Sequence, residues 1–374
     1  MRHTRHPAQS PPSSTRGGRE VDPVNPMRTD GFEFVEYAAP DPEALGALFT
    51  QLGFQKAAKH RSKEVTLYRQ GDIHFIVNAE PESFAQAFAR VHGPCICAIA
   101  LRVRDAAHAF ARARELGAWP VEAHPGPMEL HIPAIKGIGD SLIYLVDRYG
   151  ERTIYDVDFV PLESENELDT GAGLTCIDHL THNVHRGRME EWAEFYTRLF
   201  GFREVRYFDI AGQKTGLRSR AMASPCGKIR IPINESADDQ SQIQEYLHAY
   251  HGEGIQHIAL ATDDIVGTVE RLTARGVRFL TTPDTYYEML DARVPGHGET
   301  LELLRKHQIL LDGNPSEGTL LQIFTDTVIG PIFFEIIQRK GNEGFGEGNF
   351  KALFESIELD QIRRGVIPAA REQV

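Results

Sequence analysis

Apolar runs along the chain alternate with amphipathic stretches, and this pattern predicts strands that alternate with helices. Residues 96–105 and 255–264 are apolar runs that each end in aspartate. Each run leads into a helical stretch that closes on a glycine, Gly117 in one case and Gly276 in the other. Short apolar runs are typical of buried strands, and apolar positions spaced three or four apart are typical of helices. The chain therefore repeats one strand–helix pattern.

A second pair of segments extends the repeat. Residues 42–54 and 189–202 are amphipathic, and each closes with a glycine that is followed by phenylalanine. A glycine is a common end of a helix. Strands are expected after the helices of the first pair, near 118–121 and 277–280. We predict an α+β fold of four β-α-β units in two similar halves, each a curved mixed sheet folded around a cavity.

The repeat and the composition divide the sequence into four parts. We predict a disordered leader at 1–29, an N-terminal domain at 30–160, a linker at 161–173 and a C-terminal domain at 174–374. The leader is rich in Arg, Pro, Ser and Gly and lacks the apolar segment of a secretory signal. The linker is acidic and rich in glycine, without apolar periodicity.

One carboxylate interrupts an apolar run near the C-terminus. Glu335 lies in the strand-like segment 333–339. A buried carboxylate costs several kcal/mol unless a positive charge compensates it. His179 and His257 lie upstream in similar strand-like segments. Two histidines and one carboxylate are the ligand set of non-haem Fe(II) oxygenases, so these three residues are candidate metal ligands.

The two halves differ at the candidate ligands. Alignment of the repeated strands places Ala98 opposite His257 and Tyr144 opposite Glu335. The N-terminal half is therefore predicted to lack a metal, and the C-terminal half to bind one. Taken singly, each candidate ligand also fits a buried polar residue that is merely hydrogen-bonded. Their joint occurrence in one half favours the metal site.

Three other histidines are predicted not to bind metal. His182 points to the opposite strand face from His179 and is expected to be a strand-end or solvent histidine. His248 and His251 lie at a predicted helix end and loop. Such positions lack the rigid strand placement that a metal ligand needs.

Composition restricts the classes of partner. The formal charge of the 374-residue chain is 40 − 53 = −13. This acidic balance argues against a nucleic-acid or anionic-membrane partner. No apolar run reaches the roughly 18 residues of a membrane helix. Four cysteines in this length do not form a disulfide scaffold, so a cytoplasmic location is expected.

Several segments resemble bacterial 4-hydroxyphenylpyruvate dioxygenases. The resemblance extends over about 27–367, and it is carried by residues 27–38, 254–260, 320–325, 333–339 and 344–355. It implies the vicinal-oxygen-chelate fold, with four βαβββ modules in two domains and a C-terminal lid helix. It also implies Fe(II) as cofactor, bound in the C-terminal domain by His179, His257 and Glu335.

The resemblance implies a reaction and a set of pocket residues. 4-Hydroxyphenylpyruvate and O₂ would give homogentisate and CO₂ in tyrosine and phenylalanine catabolism, in a homodimer or homotetramer. The implied catalytic polar residues are Gln256, Gln322, Asn234, Ser219 and Gln242. The implied substrate-binding residues are Phe324, Phe333, Phe345, Asn349, Phe350 and Pro232. Phe324 and Phe333 could instead be ordinary core, and Asn234 and Gln242 could be surface amides.

The sequence is also compatible with three alternative functions. 4-Hydroxymandelate synthase has the same fold, ligands and substrate but hydroxylates the benzylic carbon. Phe350 is bulky where the synthase tends to a smaller aliphatic residue, which favours ring hydroxylation. An extradiol ring-cleavage dioxygenase would use a catechol without releasing CO₂. A non-catalytic small-molecule binding protein of the same fold is the remote alternative.

Overall fold

The structure is a computed structural model of the chain. It describes residues 24–122, 125–126, 128–162, 171–211, 216–237 and 241–352. Most of the predicted leader, the centre of the predicted linker and the chain after 352 lie outside these ranges. β1 begins at Thr29, and the first strand after the linker begins at Leu174.

The N-terminal half contains two βαβββ units. The first has β1 Thr29–Ala38, α1 Pro42–Gln51, β2 Gln55–His60, β3 Val65–Gln70 and β4 Ile73–Asn78. After α2 Phe84–His92, the second has β5 Cys95–Val103, α3 Ala106–Glu115, β6 Pro120–Val121, β7 Ala134–Lys136 and β8 Leu142–Val146. This half closes with a short helix and an edge strand, α4 Tyr155–Asp158 and β9 Phe159–Pro161.

The C-terminal half repeats the plan with an insertion. Its first unit has β10 Leu174–Val184, α5 Met189–Phe200, β11 Arg203–Ala211, β12 Gly216–Ala223 and β13 Arg230–Ser236. After α6 Gln242–Tyr250, the second unit begins with β14 Gly254–Thr262 and α7 Ile265–Ala274. Three short helices are inserted next: α8 Asp284–Glu288, α9 Leu290–Arg293 and α10 Leu301–His307. The unit ends with β15 Leu310–Asn314, β16 Gly318–Phe324 and β17 Phe333–Lys340.

Each half folds into one mixed sheet, and the two sheets share their central topology. The strand order is β6-β7-β8-β5-β1-β4-β3-β2-β9 in the first sheet and β11-β12-β13-β10-β14-β17-β16-β15 in the second. In both, two antiparallel central strands are flanked by parallel partners. The predicted α+β fold with four βαβββ modules is confirmed. One predicted strand is wrong: residues 277–280 form only an isolated bridge, from Phe279 to Thr325.

The helices begin where the sequence provides capping residues. The side chains of Asp41, Asp105 and Asp264 each accept a hydrogen bond from the backbone N–H three residues later, at the starts of α1, α3 and α7. This contact satisfies one of the N–H groups that lack a partner at a helix start. α5 ends at Gly201 in the left-handed conformation that glycine adopts without strain.

The longer helices α1 to α3 and α5 to α7 pack on one face of each sheet, and the opposite face is called the uncovered face below. The helix side forms one large apolar core that contains residues of both halves. Phe75 of β4 and Phe334 of β17 stack within it, with ring centroids 6.0 Å apart. The opposite face of the first sheet carries a second apolar cluster around Phe34 and Val146. Within the described ranges, no helix has the length and apolar character needed to span a membrane.

The shared core predicts a large effect of truncating Phe334, which is 0% exposed. Phe334→Ala should lower the free energy of unfolding by about 3–5 kcal/mol, because it leaves a cavity between the two halves. Chemical denaturation measures the change. Trp119→Ala is the control, since Trp119 is 77% exposed and its loss should change the free energy by less than about 0.5 kcal/mol. Equal effects of the two substitutions would contradict a core that joins the halves.

Candidate metal centre

Three neighbouring strands bring His179, His257 and Glu335 together on the uncovered face of the second sheet. Glu335 Oε2 lies 3.3 Å from His179 Nε2 and 3.5 Å from His257 Nε2. One donor atom from each residue lies within 4.8 Å of the other two. The strand register explains the meeting, because β10 and β17 both pair with the central strand β14.

The three side chains are almost completely buried, and their charges are coupled. Burial alone raises the pKa of Glu335, but the charge of His179 and hydrogen bonds from both histidines outweigh burial and lower it. Burial lowers the pKa of His179, yet the Glu335 charge and the Asp178 hydrogen bond raise it above its ordinary value. Burial prevails at His257, whose pKa is lowered.

The arrangement fits a divalent cation. Donor atoms that bind one ion at about 2.0–2.2 Å from adjacent positions lie roughly 3 Å apart, close to the separations seen here. Glu335 Oε1 and His257 Nδ1 are buried without a hydrogen-bond partner in the described part of the chain. Metal ligation requires both imidazoles to be neutral, and the cation would then replace the His179 charge as the partner of the buried carboxylate. With three protein donors, the centre differs from a closed structural zinc site.

A β-bulge orients the first ligand. Ile177 pairs with Leu260 and His179 pairs with Ala259, so Asp178 is an extra residue on β10. Bulges redirect side chains and are frequent next to active sites. Here Asp178 Oδ1 lies 2.8 Å from His179 Nδ1. When Asp178 accepts the proton on Nδ1, the Nε2 atom of His179 carries a lone pair that faces Glu335. This is the tautomer that a metal ligand requires.

Arg339 holds the orienting aspartate in place. Its Nε and Nη2 donate to the two oxygens of Asp178 at 2.7 and 2.8 Å. Burial alone would raise the pKa of Asp178, but the hydrogen bonds and charges of Arg339 and His179 hold it well below its usual range. Nη1 of the same arginine donates to the carbonyls of Asn342 and Gly344, in the loop after β17. One guanidinium therefore connects a candidate ligand with the segment that leads to the C-terminal helix.

The first sheet shows the same geometry without the ligands. Phe34 pairs with Ala100, which pairs with Tyr144, just as His179 pairs with Ala259 and Ala259 with Glu335. The rings of Phe34 and Tyr144 lie 5.6 Å apart and occupy the position of the metal centre. The register also places Ala98 opposite Leu142, as His257 lies opposite Phe333. The alignment of Ala98 with His257 and Tyr144 with Glu335 is confirmed by the strand pairing.

The neighbouring histidines lie away from the centre. His182 is on the helix side of β10, as its alternation with His179 predicts, but the expectation of a solvent histidine is wrong. It is 0% exposed, and its Nε2 lies 2.8 Å from the Tyr196 hydroxyl. α5 packs over this strand end and excludes water. His248 is in the last turn of α6, and His251 follows that helix in the left-handed conformation.

Polar residues form a row across the uncovered face beside the centre. Asn234 of β13 lies opposite Ser219 of β12 and beside Asn183 of β10. A second bulge makes Gln256 an extra residue on β14, because Thr181 pairs with His257 and His182 with Ile255. Ser219 is buried and Gln256 half-buried. Gln242, by contrast, is exposed at the first turn of α6, and among the described residues its side chain makes no contact that supports the predicted role.

Aromatic residues surround the ligands. The ring of Phe333 stacks on His257 at 4.7 Å, and Phe324 meets Phe333 edge-on at 6.0 Å. Phe345 packs edge-on against His179 at 5.4 Å. Pro232 is on β13, two residues before Asn234 and therefore on the same face.

The described part of the predicted lid is short. A helix occupies residues 347–352, and the rest of the predicted lid falls after the described residues. Asn349 is buried and donates from Nδ2 to Gln322 Oε1 at 3.1 Å. Phe350 is half-buried. The start of the helix therefore lies against Gln322 of β16.

Sequence reasoning missed four residues that shape the centre. Asp178 and Arg339 orient His179, while Thr181 and Asn183 place further buried polar groups on the ligand face of β10. The side chain of Asn183 and the Thr181 hydroxyl have no partner among the described residues. Alternation from His179 along the strand was the signal for Thr181 and Asn183. The bulge at Asp178 has no signal in the local sequence.

Comparison with known proteins identifies the family. The protein-family model for the N-terminal domain of hydroxyphenylpyruvate dioxygenase (HPPD) matches residues 24–160. The model of the glyoxalase, bleomycin resistance protein and dioxygenase superfamily matches 176–290. The chain is 62% identical over 352 residues to 4-hydroxyphenylpyruvate dioxygenase of Pseudomonas aeruginosa, an alignment that covers 93% of this chain and 99% of that protein. The chain belongs to the 4-hydroxyphenylpyruvate dioxygenase family.

Solved structures agree with this family. A xylose isomerase-like TIM barrel/4-hydroxyphenylpyruvate dioxygenase fusion protein is 36% identical, with a TM-score of 0.75 over 91% of this chain. The chain spans only 54% of that fusion protein. A triple mutant of 4-hydroxymandelate synthase from Streptomyces coelicolor is 28% identical, with a TM-score of 0.74 over 89% of this chain and 99% of the synthase. The vicinal-oxygen-chelate fold expected from the sequence is confirmed.

Because Asp178 orients His179 and is paired with Arg339, removal of the Asp178 charge should weaken metal binding. Asp178→Asn keeps the shape of the side chain but offers a weaker acceptor to His179 and no charge to Arg339. Metal affinity should fall about 10- to 100-fold, as for other groups that orient metal ligands. Competition with a chromophoric chelator measures the affinity.

Glu33→Gln provides the matched control. Glu33 is the extra residue of the corresponding bulge in β1 and is paired with Arg102 at 2.6 Å, in the half without ligands. This substitution should leave metal affinity unchanged. If both variants lose affinity equally, the loss reflects general destabilisation and the orienting role of Asp178 is wrong.

Proposed function

We propose that the chain is an Fe(II)-dependent dioxygenase that converts 4-hydroxyphenylpyruvate and O₂ to homogentisate and CO₂. The observation that carries the proposal is the buried set of two histidines and one carboxylate in a chain of this family. This donor set is typical of non-haem Fe(II) oxygenases. A non-catalytic binding protein would not need to retain these ligands in one half only.

His179, His257 and Glu335 would hold the iron. When bound, the iron supplies the activation of O₂ and a chelation site for the 2-oxo acid of the substrate. The protein supplies orientation through Asp178 and Arg339, and it supplies a dry site, because the three ligands are at most 8% exposed. Exclusion of water strengthens the electrostatic interactions in the site and protects reactive species.

The surrounding side chains would position the aromatic substrate. Phe324 and Phe333 offer flat apolar surfaces beside Glu335 and His257 for the ring. The polar row of Ser219 and Asn234, with Gln256 at its bulge, offers hydrogen bonds to a phenolic hydroxyl. Gln322 is on β16, the strand that pairs with the Glu335 strand β17, and we assign its amide to the 2-oxo acid end of the substrate. Phe345, Asn349, Phe350 and Pro232 would complete the wall of the pocket.

Ring hydroxylation is the outcome that the comparisons support. The relative at 62% identity is named a dioxygenase, whereas the synthase is similar at 28%. Benzylic hydroxylation to 4-hydroxymandelate is the second candidate, since the synthase has a TM-score of 0.74 to this chain. We further propose a cytoplasmic enzyme of tyrosine and phenylalanine catabolism that assembles as a homodimer or homotetramer. The four cysteines, none of which forms a disulfide in the structure, are consistent with this location.

Product analysis tests the reaction. Fe(II) and 4-hydroxyphenylpyruvate are added without oxygen, air is then admitted, and products and CO₂ are measured. Homogentisate with one equivalent of CO₂ is expected. His179→Ala and Glu335→Gln should remove turnover while Tyr144→Phe, at the matching position of the first sheet, retains it. Formation of 4-hydroxymandelate, or no oxygen uptake by the native protein, would contradict the proposal.

Phe350 provides a separate test of the product. Phe350→Ile should divert part of the product to 4-hydroxymandelate. The smaller isoleucine would leave room in the pocket for the benzylic carbon of the substrate to reach the position of the ring carbon that is hydroxylated. Liquid chromatography gives the ratio of the two products. Phe110→Ile, in α3 of the other half, is the control and should give homogentisate only. An unchanged ratio in Phe350→Ile removes Phe350 from the determinants of the product.

A further inference from the structure

A chain of buried hydrogen bonds connects the inserted helices with the ligand face of the second sheet. Arg293, at the end of α9, donates from Nη2 to Asn349 Oδ1 at 3.1 Å. The hydroxyl of Tyr286, in α8, donates to the same oxygen at 2.6 Å. Asn349 Nδ2 then donates to Gln322 Oε1 at 3.1 Å. Tyr286, Asn349 and Gln322 are each at most 1% exposed.

The Arg293 guanidinium sets the direction of the bonds in this chain. A guanidinium has donors and no acceptor, and it keeps its charge at all ordinary pH values. Burial raises the pKa of Tyr286 to about 12, so its hydroxyl keeps its one proton, for which the Leu311 carbonyl at 3.1 Å is a second acceptor. Asn349 must therefore turn its oxygen toward Arg293 and Tyr286 and its NH₂ group toward Gln322. Gln322 must in turn present its oxygen to Asn349.

The opposite end of the Gln322 amide is consequently an NH₂ group. Among the described residues, the Gln322 side chain makes one hydrogen bond, in which its Oε1 accepts from Asn349. Gln322 pairs with Ile337, two residues after Glu335 on β17, and therefore lies on the face of the metal centre. Its Nε2 remains available there as a donor.

We propose that Arg293 is a positioning residue that, through Asn349, makes Gln322 present an N–H donor to the substrate. The inference rests on the proposed function and deepens it by naming the group recognised. The ionised 2-oxo acid of 4-hydroxyphenylpyruvate has only acceptor oxygens, in its carboxylate and its ketone. A fixed donor beside the metal centre favours such a substrate over an analogue that places a hydroxyl donor there.

The same arginine also holds the start of the C-terminal helix. Asp312 Oδ2 accepts from the backbone N–H of Gly348 at 2.8 Å, and its Oδ1 lies 3.4 Å from Arg293 Nη1. Gly346 has a φ of +76°, and a Cβ there would lie 1.8 Å from Gln322 Oε1. The turn before the helix can therefore lie directly on the Gln322 amide only because residue 346 is glycine.

A double-mutant cycle tests the coupling between Arg293 and Gln322. The dissociation constant of 4-hydroxyphenylpyruvate is measured by calorimetry on the Fe(II)-loaded protein without oxygen. Arg293→Met should raise it about 5- to 10-fold, the scale of one misdirected hydrogen bond. In a Gln322→Met background the same change should have less than about a 2-fold effect, because the amide through which Arg293 acts is gone. Arg293→Lys, which keeps a donor-only cation, should recover part of the affinity.

Arg305→Met is the matched control. Arg305 lies over the ring of Tyr287 as Arg293 lies over that of Tyr286, and it is paired with Asp284 in the same insertion. It has no bond to Asn349, so its loss should leave the dissociation constant unchanged. Asn349→Asp supplies a second variant of native shape. An aspartate at 349 cannot donate to Gln322, so the Gln322 amide should turn its NH₂ group to the aspartate and its oxygen to the substrate. The dissociation constant should then rise about 10- to 100-fold.

The outcomes separate this inference from the proposed function, because homogentisate formation is measured on the same preparations. Equal effects of Arg293→Met in both backgrounds, or native affinity in Asn349→Asp, overturn the positioning role even if homogentisate forms. Coupled effects on binding without homogentisate overturn the proposed function and keep the positioning role. Failure of the native protein to bind the 2-oxo acid overturns both.

Discussion

The buried carboxylate of Glu335 is the constraint on which the site depends. It lies in the centre of an apolar strand, and the side chains nearest to it are two imidazoles. A carboxylate in such a place is stable only beside positive charge. A divalent cation would supply that charge, and the three strands β10, β14 and β17 hold the three donor side chains on a rigid sheet. The bulge at Asp178 and its ion pair with Arg339 hold His179 in the ring orientation that directs Nε2 at Glu335.

The repeat of the two halves explains how one chain can carry a cluster of buried polar groups within a stable fold. Both sheets have the same strand order at their centres and the same bulges, with Glu33 and Cys97 in the first at the positions of Asp178 and Gln256 in the second. The first sheet fills its uncovered face with Phe34 and Tyr144, and so gains an apolar cluster there. The second sheet gives up this packing for buried polar groups, of which several have no partner in the described ranges. The apolar cluster and the polar site thus occupy the same face in two halves that are each built from two βαβββ modules.

Local pattern predicted the repeated β-α-β units and the candidate ligands, because strand alternation, glycines at helix ends and the contrast between the halves can be recognised in short segments, whereas the βαβββ modules were implied by the family resemblance. The strands carrying His179, His257 and Glu335, and the absence of ligands in the first half, follow from such patterns. The errors have tertiary causes. Residues 277–280 do not form a strand because the inserted helices α8 to α10 take the place of a regular hairpin. His182 is buried because α5 covers it. The bulges and the chain from Arg293 to Gln322 depend on residues far apart in sequence, so no local pattern reveals them.

Metal stoichiometry tests the central claim most directly. Equilibrium dialysis of metal-free protein against Fe(II) without oxygen measures the number of ions per chain, for the native protein and for Glu335→Gln. We expect one tightly bound ion per native chain and its loss in Glu335→Gln, which keeps the shape of the side chain but not the charge. Two ions per chain would contradict the division between the halves. An undiminished affinity in Glu335→Gln would show that the buried carboxylate is not the ligand on which the site depends.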